Sequence, residues 1–172
     1  MSAWLFTGLI VLVGLERLAE LMVSKRNAAW SFARGGYEVG RGHYPFMVVL
    51  HTGFLVAAVL EVWLLDRSFH WWGWIALLIV VLSQALRWWC IATLGHQWNT
   101  RVIIVPGARR VVGGPYRWMP HPNYVAVVAE GIALPMVHNA WLTALGFTVL
   151  NAALLTVRIR TENQALSALS TT

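Results

Sequence analysis

Two short stretches hold residue types that could do chemistry together. The first is residues 113–124, Gly-Gly-Pro-Tyr-Arg-Trp-Met-Pro-His-Pro-Asn-Tyr. Its glycine pair frees the backbone, while Pro115, Pro120 and Pro122 remove donors and fix φ, so no continuous helix runs through it. The pattern predicts a rigid, non-helical loop presenting Tyr116, Arg117, His121, Asn123 and Tyr124. The second stretch lies near the C-terminus, where Asn151, Arg158 and Glu162 are spaced seven and four residues apart. At about 100° per residue these three fall within about 40° of one another, on one stripe of a helix.

Brought together, these groups could hold a small zwitterion. An arginine takes its carboxylate, a glutamate its ammonium, and aromatic rings an adenine or a cation. Plainer uses exist for each. A histidine between two prolines can be a structural hydrogen-bonding group, and Arg158 with Glu162 forms an i,i+4 pair that on a solvated helix end contributes less than ~1 kcal/mol. The extension of the stripe to Asn151, inside an apolar run, favours an inward-facing polar wall. Several chemistries are excluded. No serine or cysteine sits in a triad-like setting, no paired acids mark a hydrolase, and no phosphate- or dinucleotide-binding glycine pattern occurs. His96 and His121 are too isolated for a metal site. The lone cysteine, Cys90, excludes an intrachain disulfide and a multi-cysteine metal centre.

The elements that must position these residues are set by composition. Of 172 residues, 58% are hydrophobic and 12% charged, and 11 are Trp. A soluble domain carries about 25% charged residues, and Trp favours membrane interfaces. The chain therefore reads as a single integral membrane domain over residues 1–172: a three-helix part, 1–95, then a loop, helical hairpin and C-terminal helix, 96–172. Residues 1–23 lack a basic leader and a small-residue cleavage site, and read as a retained first span.

Five apolar segments follow in order: about Ala3–Val23, Tyr44–Leu65, Trp71–Leu94, Tyr124–Val137 and Trp141–Val157. Between the first two, Ser24–Gly42 is broken by glycines at 35, 36, 40 and 42, and a long helix is not expected there. Within His96–Pro120, Arg101–Val105 is a β-like run. The fourth segment, at about 14 residues, is short of the roughly 20 needed to cross a bilayer. With the turn His138-Asn139-Ala140 and the fifth segment it forms a tight helical hairpin. Lys25, Arg26, Arg34, Arg41, Arg101, Arg109, Arg110, Arg117, Arg158 and Arg160 fall on one side, and Arg67 on the other. This asymmetry puts the N-terminus outside and both large loops, with the site, in the cytoplasm. It also accounts for the net charge of +6 without nucleic acid.

Charges within spans are costly and usually paired. The sequence predicts that Arg87 pairs with Glu16 or Glu20 and pins the first helix to the third. Glu61 is expected at the interface, and Glu130 is either a satisfied structural acid or a site wall.

The pattern Gly-Pro-Tyr-Arg then His-Pro-Asn-Tyr, followed about 35 residues on by Arg158-Ile159, Glu162 and Leu166, resembles the isoprenylcysteine carboxyl methyltransferase family over roughly residues 94–166. Glu16-Arg17, Ser24-Lys25-Arg26-Asn27, the Gly-Gly-Tyr-Glu stretch and His43-Tyr44-Pro45 look like its short bacterial branch, which includes alkylpyrone and alkylresorcinol O-methyltransferases acting on polyketides. The resemblance implies an all-α membrane bundle of about five spans, S-adenosylmethionine as methyl donor in a pocket on the cytoplasmic side, and a lipophilic acceptor arriving from the bilayer lipids. It implies His121, Arg158 and Glu162 as catalytic residues. Tyr116, Pro122, Asn123, Tyr124 and Asn151 would join them around the cofactor. Two positions depart from the family pattern. Pro120 stands where Arg often precedes the His-Pro, which removes a cationic anchor for a prenylcysteine carboxylate unless Arg117 substitutes. Asn163 stands where a second acid often follows. Within the enzyme class, prenylcysteine carboxyl methylation and lipid amine N-methylation are the alternatives. Outside it, a small transporter or membrane scaffold is the rival.

Overall fold

A computed structural model of the chain describes residues 1–109 and 111–170, with side chains through residue 165. Arg110 of the basic loop and the side chain of Leu166 lie outside the described residues. Five helices run as α1 (Ala3–Phe32), α2 (Tyr44–Leu64), α3 (Trp72–Leu94), α4 (Pro122–Met136) and α5 (Trp141–Ser170). Three stretches are long and apolar enough to cross a membrane by themselves: Arg41–Leu64, Trp72–Gln97 and Trp141–Ala165. Large apolar side chains such as Leu12, Val49, Leu78, Leu82 and Val149 are more than half exposed. A soluble surface would not tolerate so many, and the protein is a membrane protein.

The helices share three layers along the bundle axis. At one end is an apolar core. It holds Phe6, Ile10 and Val13 of α1, Phe54, Ala58 and Val62 of α2, Ala76 and Val80 of α3, Leu134 of α4 and Phe147 of α5. Next comes a charged layer of Arg17 and Glu20 (α1), Gln84 and Arg87 (α3) and Glu130 (α4). Arg87 Nη2 lies 2.5 Å from Glu130 Oε2, and its Nε is 3.5 Å from Glu20. Arg17 reaches Glu20 at 3.0 Å and donates to Gln84 at 2.6 Å. The expected Arg87–Glu20 contact is therefore present, but the shorter partner is Glu130. Glu16 instead accepts from the Trp88 indole. Glu130 is a paired structural acid, which fits the cost of an isolated charge in a bilayer.

The third layer is built from the loops, and here α1 departs from the sequence reading. It does not stop near Val23 but continues to Phe32. The glycines that were expected to break Ser24–Gly42 start only at Gly35, whose φ of +75° ends the last turn. Up to that point one buried stripe, Glu20, Ser24, Asn27 and Ser31, keeps the three- and four-residue spacing of the apolar residues before it. Small polar side chains on that stripe bond the segment after α3. Beyond the helix, β1 (Tyr37–Val39) pairs antiparallel with β2 (Val102–Ile104), in the register Tyr37↔Ile104. The extended run expected at Arg101–Val105 is thus a strand, and its partner lies in the glycine-rich loop.

The α4–α5 hairpin forms as expected. Its turn passes through Asn139 at φ +59°, closed by Ala140 N–H donating to the Pro135 carbonyl at 2.9 Å. Glu61, near the end of α2, is held by specific partners. It is 7% exposed and accepts from the N–H groups of Leu142 (3.2 Å) and Thr143 (2.7 Å). It thus satisfies donors that the start of α5 would otherwise leave open.

Candidate functional site

Residues 113–124 are less uniformly loop-like than their prolines imply. Gly114, at φ +53° and packed against Thr93, opens a short 3₁₀ turn, Gly114–Arg117. His121 is the residue before α4, and Pro122 takes the first helical position, where a missing N–H costs nothing. Asn123 and Tyr124 therefore ride on the first turn of α4 instead of on the loop. This turn faces the last described part of α5 and the β1–β2 ribbon across a cavity of about 780 Å³. That volume is in the range of small-molecule and cofactor sites.

One wall is polar: Tyr116, His121, Asn123, Tyr124, Arg158 and Glu162. Leu94, Val102, Ile104, Val105 and Val111 add an aliphatic part to the lining, beside Gln97, Asn99 and Arg101. The Tyr124 hydroxyl is the hub of the polar wall. It accepts from Arg158 Nε at 2.9 Å and donates to Glu162 Oε2 at 2.5 Å. The expected i,i+4 ion pair between Arg158 and Glu162 is thus replaced by a bridge, because the phenol lies between them. His121 stacks on the Tyr124 ring at 5.2 Å, with Nδ1 4.0 Å from Glu162 Oε2. Arg158 is only 7% exposed. Its other described contact is Nη1 to the Met47 sulfur at 3.3 Å. Among the described residues no carboxylate pairs with it, so a buried cation is left with neutral partners. Asn123 Oδ1 is a buried acceptor with no partner among the described residues. Burial, and then the neighbouring Cys90 thiol, push the Tyr116 phenol above its usual range, so it remains a neutral donor.

Of the residues singled out by sequence, Tyr116, His121, Asn123, Tyr124, Arg158 and Glu162 converge here. Pro122 and Asn151 do not line the cavity. Pro122 is fully buried beneath it as the first residue of α4. Asn151 shares the stripe but lies seven residues before Arg158, about 10 Å deeper along α5, and its Oδ1 is buried without a partner among the described residues. Arg117 is exposed and outside the lining. Sequence reasoning missed Ser31, Trp98 and Asn99, which also line the cavity. The continuing polar stripe of α1 was the signal that could have found Ser31.

A Bacillus subtilis (strain 168) protein, YpbQ, described as uncharacterized, is 38% identical over 163 residues, covering 94% of this chain and 96% of the relative. An uncharacterized Haemophilus influenzae protein is 27% identical over 152 residues, 88% of each chain. The model of the isoprenylcysteine carboxyl methyltransferase (ICMT) family matches residues 74–168, which takes in α3, the cavity loop, α4 and α5. With the cavity wall drawn from these same segments and the helices apolar enough to span a bilayer, the chain belongs to the isoprenylcysteine carboxyl methyltransferase family of membrane methyltransferases.

Proposed function

We propose that the protein transfers a methyl group from S-adenosylmethionine to an oxygen of a lipophilic acceptor, an alkylpyrone- or alkylresorcinol-like polyketide, with the 780 Å³ cavity as the reaction site. The observation that carries this reading is Arg158, a buried guanidinium on the cavity wall with no carboxylate partner among the described residues. The residues present fit the cofactor. Arg158 would take its carboxylate, Glu162 its ammonium, and the unpaired Asn123 oxygen an exocyclic amine or ammonium hydrogen. Tyr116 and Tyr124 complete that wall. When bound, the cofactor supplies a methyl on a sulfonium that is open to in-line displacement.

The chain's own residues then do three things. They hold the reactants close, which can contribute about 7–11 kcal/mol. The aliphatic part of the lining excludes water and suits an acyl or alkyl tail. His121 takes the acceptor's hydroxyl proton as the new carbon–oxygen bond forms, and the Glu162 carboxylate at 4.0 Å stabilises the imidazolium that results. Arg117, exposed and away from the lining, offers no replacement for the arginine that Pro120 displaces. Arg101, which does line the cavity, is already paired with Glu38 at 3.5 Å, so a neutral hydroxyl suits the site better than a prenylcysteine carboxylate. A transport path finds little support: the second cavity, among Arg17, His51, Arg87 and Glu130, holds only about 20 Å³. Basic residues flanking the cavity end of the bundle favour a cytoplasmic site with the N-terminus outside.

The test is calorimetric titration of the detergent-purified protein with S-adenosylhomocysteine, followed by labelled methyl transfer to an alkylresorcinol. Saturable binding and label in the resorcinol are expected. Absence of any binding would overturn the reading, and label confined to prenylcysteine or to lipid amines would replace the acceptor.

A further inference from the structure

The match to the family begins in α3, yet one wall of the cavity is fixed by α1. The segment after α3 turns through Gly95–Gln97 and then extends into β2, with Gln97, Trp98, Asn99 and Arg101 lining the cavity. Few backbone groups of this turn are satisfied within it. Asn27, 3% exposed on the α1 extension, donates both amide hydrogens across to it, to the Gly95 carbonyl at 3.0 Å and the Trp98 carbonyl at 2.8 Å. Both partners are carbonyls, which only accept, so the amide orientation is forced by chemistry. One turn earlier, Ser24 Oγ takes the Thr100 N–H at 3.0 Å and bonds the Thr100 hydroxyl at 2.9 Å. One turn later, Ser31 itself lines the cavity.

We infer that Asn27, supported by Ser24, is a positioning residue for the cavity: it clamps the turn at 95–98 and so fixes the wall formed by Trp98 to Ile104. Neither side chain lines the cavity, so each acts through the segment it holds: Asn27 through two carbonyls, and Ser24 through Thr100 and the cavity-lining Asn99 side chain, whose Oδ1 lies 3.3 Å from its hydroxyl. The inference rests on the cavity being the cofactor site. Asn27→Asp is the sharpest probe, because it keeps the shape but sets a carboxylate against two carbonyl oxygens. Ser24→Ala removes one clamp, and Ser24→Thr keeps the hydroxyl.

The experiment uses the full-length protein in detergent and reads S-adenosylhomocysteine affinity, thermal unfolding and backbone hydrogen exchange side by side. Asn27→Asp is expected to weaken binding about tenfold or more and Ser24→Ala about threefold, with Ser24→Thr like the parent. Amides of residues 98–104 should exchange faster in Asn27→Asp while those of α3 to α5 keep their protection. Parental affinity and parental exchange at 98–104 would overturn the inference, as would a uniform loss of protection through the whole bundle. If Asn27→Asp does not fold, Asn27→Ala carries the same readouts. Should the parent itself fail to bind S-adenosylhomocysteine, the cofactor reading falls, whereas the exchange comparison still decides whether Asn27 holds the wall.

Discussion

Arg87 and Arg158 are both buried guanidiniums, 6% and 7% exposed, and they are equipped differently. Arg87 sits between Glu20 and Glu130, with Arg17 and Gln84 closing the group. Its charge is answered inside the protein, and the cluster joins α1, α3 and α4. Arg158 meets a phenol and a thioether. A membrane protein can carry an arginine of either kind. The first contributes to holding helices together, whereas the second reaches its nearest carboxylate, Glu162, only through the Tyr124 hydroxyl and makes sense where an anion is to be received. The distinction separates structural from functional charges more sharply than burial does, since burial is the same for both.

Four single substitutions and one paired change would break or sharpen this contrast. The largest effect is expected from His121→Ala, which should lower kcat by about 10²–10⁴-fold while leaving S-adenosylhomocysteine affinity near the parent's. Equal losses in both would move His121 from proton transfer to binding. Glu130→Ala should destabilise by about 3–5 kcal/mol in thermal unfolding, because Arg87 loses its nearest partner, and the paired change Glu130→Leu with Arg87→Met should recover most of it. Arg158→Met should do the reverse: stability within about 1 kcal/mol of the parent, but roughly 10- to 100-fold weaker S-adenosylhomocysteine binding by calorimetry. If Arg158→Met proves as destabilising as Glu130→Ala, the two arginines are not different in kind. Tyr124→Phe is the mildest, an expected loss of about 3- to 10-fold in affinity as Arg158 and Glu162 lose the hydroxyl between them.

Much of the fold was legible because bilayer physics writes it into composition. The apolar segments, the α4–α5 hairpin with its His138–Asn139 turn, and the strand at 102–104 follow from apolar run lengths, turn residues and β-branched content. Six residues that line the candidate cavity were legible because prolines and a helical stripe concentrate them. What was not legible is non-local. Nothing near Glu38 announces that it will lie opposite Ile103. Along the continuation of α1, Asn27 meets two carbonyls 68 and 71 residues on, which no local pattern announces. Asn151 illustrates the opposite failure. Its angular position was right, but angle says nothing of depth, and seven residues along α5 took it out of the cavity.

The Glu61 cap gives α5 a mechanical character. The helix is footed on α2 at Thr143, and it carries Arg158 fifteen residues later, about 22 Å along the axis. Between the two runs an α-helix, which is stiff in compression and has no proline in this stretch. The height of Arg158 in the cavity is thus referred to the opposite end of the bundle. α5 acts as a strut between the Glu61 carboxylate and the cavity.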